Sequence, residues 1–233
     1  MKSSSPSAVF LRAASAVFAR DFRQEIRRRT SVSAVLFFAA SALALISFSM
    51  TTLSLPPADR AKLNAGMLWI LLFFSASSGL PRSFVREEEA GTALALRKTA
   101  SGEAVLLGKF LFNFALFLAI CAVAAPLLCL LQSWTIDNVG AFALVLVLAG
   151  YGVSFVSTFL SAIVSRAGQK DILFVLIAFP LLLPLLLPAV DATSKAPLVA
   201  SLSELDSYWR VLAAYDGLST CAAFVLMPFV WEG

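Results

Sequence analysis

Apolar residues in this chain are not spread evenly but gathered into six long blocks, at Ser33–Leu55, Leu63–Leu80, Val105–Leu131, Gly140–Val164, Ile172–Val190 and Val211–Val230. Each approaches or exceeds the roughly 20 apolar residues that carry a helix across a bilayer, the second being the shortest. The alternation of apolar and polar residues that marks a transmembrane barrel strand is absent. No long linker or internal repeat divides the chain. The pattern predicts an all-α integral membrane protein with six transmembrane helices in a single domain, residues 1–233. Ahead of the first block, Phe10, Ala14, Phe18, Phe22 and Ile26 recur every four residues among Arg12, Arg20, Arg23 and Arg27. This periodicity predicts an amphipathic helix within residues 1–31, lying along the interface with its rings in the acyl boundary and its arginines near anionic headgroups. A plain basic flank is the simpler alternative.

Composition agrees. Hydrophobic residues make up 60% of the 233 and charged residues only 14%, against about a quarter in soluble domains. The net charge of +4 raises the question of nucleic acid, but the basic residues flank the apolar blocks and report topology instead. Fourteen of the 18 lie in the N-terminal segment, the 82–109 loop and the connection between the fourth and fifth blocks; only Arg60, Lys62, Lys195 and Arg210 lie on the other side. Both termini and the 82–109 loop are therefore expected to be cytoplasmic. The long basic region and long first block indicate an uncleaved span and not a signal peptide.

The chain has no histidine, which removes His-ligated metals, His general bases and His-ligated haem. Cys121, Cys129 and Cys221 stand inside apolar blocks without CxxC spacing and read as small hydrophobes. No catalytic, cofactor-binding or metal site is expected. The first five blocks carry no ionisable residue near their centres, and Asp191, Asp206 and Asp216 are expected near outer ends, within reach of water. That argues against an ion-coupled secondary transporter.

Two blocks have unusual texture. Gly150, Ser154, Ser157, Ser161 and Ser165 form a small-residue face in the fourth, suited to close helix approach within the chain or to a subunit interface. In the fifth, Pro180, Pro184 and Pro188 align on one face. Each removes a backbone donor, which predicts a kink, a break or a re-entrant outer half, with a gate and a static kink both open.

The longest polar run is RSFVREEEAGTALALRKTASGEAVLLGK, residues 82–109. Ala90, Ala93, Leu94 and Leu96 offer a short apolar helical face, with Glu87–Glu89 in its first turn and Arg97–Lys98 in its last, an arrangement that complements the helix dipole. Ser101 is placed to cap the following helix. The residues alone leave docking of a soluble partner and passive connection open.

The run EEEAGTALAL followed by LLGK resembles the cytoplasmic coupling loop of ABC-2-type permeases. RSFVREEEAGTALAL with LGK, Trp69, VSTFLSAI, FPLLLPLLLPAV and the closing LAAYDGLST and PFVWEG are together similar to the CcmB family, the membrane subunit of the haem exporter of cytochrome c maturation, over nearly the whole chain. Two positions depart from it: Ala100 where the family usually has proline, and Ser157-Thr158 where it usually has Gly-Thr.

The resemblance implies a permease subunit with no enzymatic residues. ATP would be hydrolysed by a separate CcmA-type ABC ATPase docked at Arg86, Glu87, Glu88, Glu89, Gly91, Thr92, Leu94 and Leu96. The absence of a GxxxxGK[ST] phosphate loop agrees. A CcmC-type membrane protein would handle haem, and the haem-loaded chaperone CcmE would be released at the outer face. In a mechanism of this kind the segment with Pro180, Pro184 and Pro188 is the candidate gate, a static kink being the other reading. The expected setting is the bacterial inner membrane, with the mitochondrial inner membrane as second choice. An ABC-2 exporter of a lipid, glycan or drug and a non-transporting scaffold of a haem-ligation complex are the alternative readings.

Overall fold

The computed structural model describes residues 6–27, 30–50, 55–79, 82–89, 91–165, 167 and 170–232, with side chains left undescribed at a few of these, among them Arg86, Glu89, Ala93 and Leu94. The described residues form helices α1 (Pro6–Arg27), α2 (Thr30–Met50), α3 (Pro57–Gly79), α4 (Arg82–Glu89), α5 (Ala93–Thr99), α6 (Gly102–Gln132), α7 (Val139–Val164), α8 (Lys170–Lys195) and α9 (Asp206–Glu232), with a 3-10 turn at Leu202–Leu205. All regular structure among them is helical, as the block pattern predicts.

Among the described residues, four helical stretches are long and apolar enough to cross a membrane: Gly102–Gln132, Val139–Val164, Ile172–Lys195 and Leu202–Trp231. The chain is thus a multi-pass membrane protein. The first two expected spans, carried by α2 and α3, run partly through residues whose side chains lie outside the described ones. Among the described residues of α2 the apolar stretch is Phe37–Ser49, and α3 opens on Asp59, Arg60, Lys62 and Asn64.

Helix α7 is the hub, packed against α3, α4, α6, α8 and α9. Its small residues explain how. Ser154, Ser157 and Ser161 are buried, and a Cβ at Gly150 would come within 2.5 Å of the Phe117 ring of α6. The predicted small-residue face is therefore used inside the chain. The link from α6 to α7 is closed by polar groups: Asn138 Oδ1 accepts from Ala141 N at 2.9 Å, and Asn138 Nδ2 donates to the carbonyl of Val199 at 3.1 Å. One residue thereby caps α7 and ties it to the segment after α8.

Of the outcomes expected for the proline-bearing block, a break does not occur. Helix α8 is continuous from Lys170 to Lys195 with Pro180, Pro184 and Pro188 inside it, neither broken nor re-entrant. Neighbouring helices hold it: Leu182, Leu185 and Ala189 are buried in the main core, and Tyr215 Oη of α9 donates to the carbonyl of Leu181 at 2.8 Å. Side chains from packed helices can satisfy backbone groups disturbed by proline, which is how such helices persist in membranes.

In the middle of α3, Trp69 is buried, donates from Nε1 to Thr193 Oγ1 of α8 at 2.8 Å, and stacks on Phe117. A tryptophan N–H inside an apolar bundle needs such a partner.

Candidate functional site

The 82–109 segment folds as a hairpin of two short helices, not as one. Gly91 takes φ +67, its N–H donating to the carbonyl of Glu88 at 3.2 Å while Thr92 N donates to the carbonyl of Glu87 at 3.0 Å. This pair of bonds is the Schellman stop, whose left-handed position favours glycine. The glutamates therefore close α4 instead of opening α5, whose first turn carries no acid. Arg97 and Lys98 do occupy the last turn of α5, as expected.

Ser101 Oγ caps α6 by accepting from Ala104 N at 3.4 Å. Ala100 is extended at φ −143, and its N–H donates to the carbonyl of Leu96 at 3.0 Å. Proline could supply neither that angle nor that bond, so the departure at Ala100 is matched by a local gain.

Acids at a helix C-terminus oppose its dipole, and here cations from elsewhere offset them. Lys109 of α6 is fully buried. Its Nζ donates to Glu87 Oε1 at 2.9 Å and to Asp21 Oδ2 of α1 at 3.2 Å, and lies 4.9 Å from the centroid of the Phe84 ring. Arg20 of α1 pairs with Glu87 and, at 3.0 Å, with Asp21. Burial works against the Arg20 charge, but Glu87 and Asp21 outweigh it and hold the guanidinium above its ordinary range. Three helices remote in sequence thus converge on one ionic cluster.

This geometry revises the reading of α1. Its buried face is Ala14, Val17 and Asp21; of the four-residue series Ala14 belongs to that face, Phe10 and Phe18 are half-buried and Phe22 is exposed. It packs on α6 so closely that a Cβ at Gly108 would come within 2.5 Å of the Ala14 carbonyl. Arg20, expected near headgroups, points to Glu87 instead. Leu11 and Val9 stay exposed beside Arg12, in keeping with an interfacial helix.

The far arm of the hairpin is anchored too. Arg97 lies 5.6 Å from the centroid of the Trp231 ring of α9 and 3.5 Å from Glu88 Oε2. Trp231 is also pressed against Gly102, where a Cβ would come within 2.8 Å, and meets Phe84 edge to face. Leu96 packs on the same cluster as Phe84 and Trp231.

Of the sequence-predicted docking residues, Gly91 and Thr92 stand exposed at the tip and Glu88 is half-buried at its shoulder. Glu87 is buried, so its carboxylate serves the interior and not a docking surface. The side chains of Arg86, Glu89 and Leu94 lie outside the described residues, as does Ala90. Pro180, Pro184 and Pro188 belong to α8 and are not part of the hairpin. Lys109, Asp21 and Trp231 were missed as site residues. Asp21 is the first acid in the chain, set directly after Arg20, and Lys109 ends the LLGK motif; those were the available signals.

Two further findings concern interior polar groups. Asn113 Nδ2 donates to Thr158 Oγ1 at 2.8 Å, so the Ser157-Thr158 pair supplies a buried link from α7 to α6. Asp216 does not lie at a wet outer end: it is buried in the body of α9 at 7% exposure, in contrast to the accessible Asp206.

A search of curated proteins found no match to the chain. The model of the family described as CcmB protein matches residues 12–232. Such membership implies a membrane subunit in cytochrome c maturation and haem export. That match takes in α2 through α9, the whole hairpin and the ionic cluster behind it, and the chain belongs to the CcmB family.

Proposed function

We propose that this chain is the permease subunit of an ABC transporter-type complex in the bacterial inner membrane, with six crossing helices and both termini cytoplasmic. ATP is hydrolysed by a separate CcmA-type cassette that docks on the α4–α5 hairpin; the chain itself carries no catalytic group and holds no cofactor. A CcmC-type protein handles haem, and the cycle releases haem-loaded CcmE at the outer face. The observation that carries this reading is the hairpin: its tip at Gly91 and Thr92 is exposed, while both arms are fastened inside, one through Glu87 to Lys109 and the other through Arg97 to Trp231.

A tip held this way works as a lever. Force applied at Gly91 passes along α4 into α6 through the ion pair, and along α5 into α9 through the indole. Helix α7 packs against α4, α6, α8 and α9, so it carries the displacement on to the proline-bearing α8. The partner at the outer face then responds because it contacts the two conformations differently.

The test is Gly91→Pro. Proline requires φ near −65°, opposite in sign to the +67 at this position, so the hairpin tip is rebuilt while the membrane helices are untouched. The variant is expected to reach the membrane at normal level, to co-purify less of the cassette and to lose cytochrome c maturation. Unchanged cytochrome c levels would overturn the proposal. Recovery of a cassette without a haem-handling membrane protein from the wild-type complex would favour an exporter of another substrate.

A further inference from the structure

Asp216 lies ten residues into α9, about 15 Å along the helix at 1.5 Å per residue. Its side chain turns onto α7 at Gly152, where a methyl group would overlap Oδ1 and crowd Leu185 of α8. The carboxyl is 7% exposed, and Oδ1 has no hydrogen-bond partner among the described residues.

The polar groups nearby in sequence and packing are committed elsewhere. Ser219 Oγ donates to the backbone carbonyl of Asp216, not to its carboxyl. Thr220 is bonded to Tyr151 Oη of α7 at 3.0 Å, and Tyr215 Oη donates to Leu181. On α8, Asp191 and Lys195 are paired with each other toward the helix end, and on α9 Arg210 is paired with Asp206. Helix α7 carries no charged residue between Val139 and Val164.

An unpaired carboxylate in such surroundings is far costlier than a neutral carboxyl, and a group in this position neutralises. A metal cation would need several oxygens converging on it, whereas Oδ1 faces a glycine and a leucine. A proton needs none of them. The packing therefore discriminates between ligands, and we propose that Asp216 is a proton-binding site. The carboxyl is protonated while α9 is closed on Gly152, and it releases its proton to water, leaving the carboxylate, when α9 separates from α7. Proton release then marks the opened form of the α7–α9 contact. This inference needs the membrane placement of α9 but not the docking of a cassette.

The experiment is infrared spectroscopy on the purified full chain in lipid nanodiscs at neutral pH, in ordinary and heavy water, for wild type, Asp216→Asn and Gly152→Ala. Wild type should show a protonated-carboxyl stretching band that shifts in heavy water. Asp216→Asn should lack that band. Gly152→Ala, whose methyl group displaces the carboxyl from its seat, should lose it at a lower pH than wild type does. A neutral-pH band shared by wild type and Asp216→Asn would place the proton elsewhere and overturn the proposal. So would a Gly152→Ala band that titrates as in wild type, or a wild-type carboxylate band that responds to sodium. Because no cassette is present, failure here leaves the docking proposal standing, and failure of the Gly91→Pro test leaves this one standing.

Discussion

Lys109 and Asp216 are both ionisable side chains sealed inside the helix bundle, and the protein surrounds them in opposite ways. Lys109 is met by two carboxylates from two other helices, with the face of an aromatic ring alongside. Asp216 meets a glycine and a leucine, and its Oδ1 has no hydrogen-bond partner among the described residues. The first arrangement keeps charge and makes it an attachment: Asp21, Glu87 and Lys109 can be satisfied only while α1, α4 and α6 stay together. The second gives up charge and leaves a contact that can open, since nothing polar holds the carboxyl to α7. A buried ion pair is weak evidence of added stability, but breaking one is strongly destabilising. Specific attachment is the benefit of the first site; at the second, α7 and α9 are held by packing and by the Tyr151–Thr220 bond and not through the Asp216 carboxyl.

The largest expected effect comes from breaking the paired site on one side. Lys109→Ala leaves Glu87 and Asp21 buried with the half-exposed Arg20 as their remaining cation among the described residues. Losing one partner of a buried pair costs about 3–5 kcal/mol. Denaturation of the purified chain in mixed micelles should show a loss of that size. Adding Glu87→Gln should return part of it by removing one of the stranded charges. A loss below about 1 kcal/mol for Lys109→Ala, on the scale of an exposed pair, would mean that the cluster is wet and not an attachment.

Ser101→Ala asks whether that loss belongs to the ion pair or to α6 as a whole. Ser101 caps the first turn of α6 by accepting from Ala104 N, and losing a cap costs about 1 kcal/mol. It frays the start of the helix that carries Lys109 without touching the cluster. The same denaturation assay should give a loss of about that size. A loss equal to that of Lys109→Ala would assign both to unravelling of α6.

How much of this was legible beforehand follows the range of each interaction. Long apolar blocks are local signals, so the helical class, the positions of α6 to α9 and the close-packing face of α7 could be read from residue types alone. The Ser101 cap and the basic end of α5 are local as well. The turn at Gly91 had its residue in view, but the apolar spacing from Ala90 to Leu96 suggested one helix, and only the pair of bonds from Gly91 and Thr92 back to α4 divides it in two. Glu87 faces inward because Lys109 is 22 positions away and Asp21 is 88 positions from Lys109, and no periodicity connects them.

For the prolines of α8, residue types alone left kink and break both open. Their local cost was read correctly, but the core packing of Leu182 and Leu185 and the Tyr215 bond, which hold the helix together, come from tertiary contacts. Asp216 was misplaced because position along a hydropathy block does not say which face of the helix is covered. Here the missing Cβ of Gly152, 64 positions earlier, makes the room.

The smallest expected effect is the sharpest test of the contrast. Asp216→Asn keeps the shape of the side chain and removes its ability to ionise. If the carboxyl is already neutral when α9 is closed, the substitution exchanges one uncharged polar group for another of similar volume. It also leaves Gly152, Leu185 and the backbone bond from Ser219 in place. The denaturation midpoint should then move by less than about 0.5 kcal/mol, the scatter of substitutions that disturb no buried partner. A paired carboxylate would behave otherwise, because neutralising it strands its partner at a cost of several kcal/mol. Loss of the size seen for Lys109→Ala would therefore reveal a cation held by Asp216, and the two buried charges would turn out to be the same kind of site.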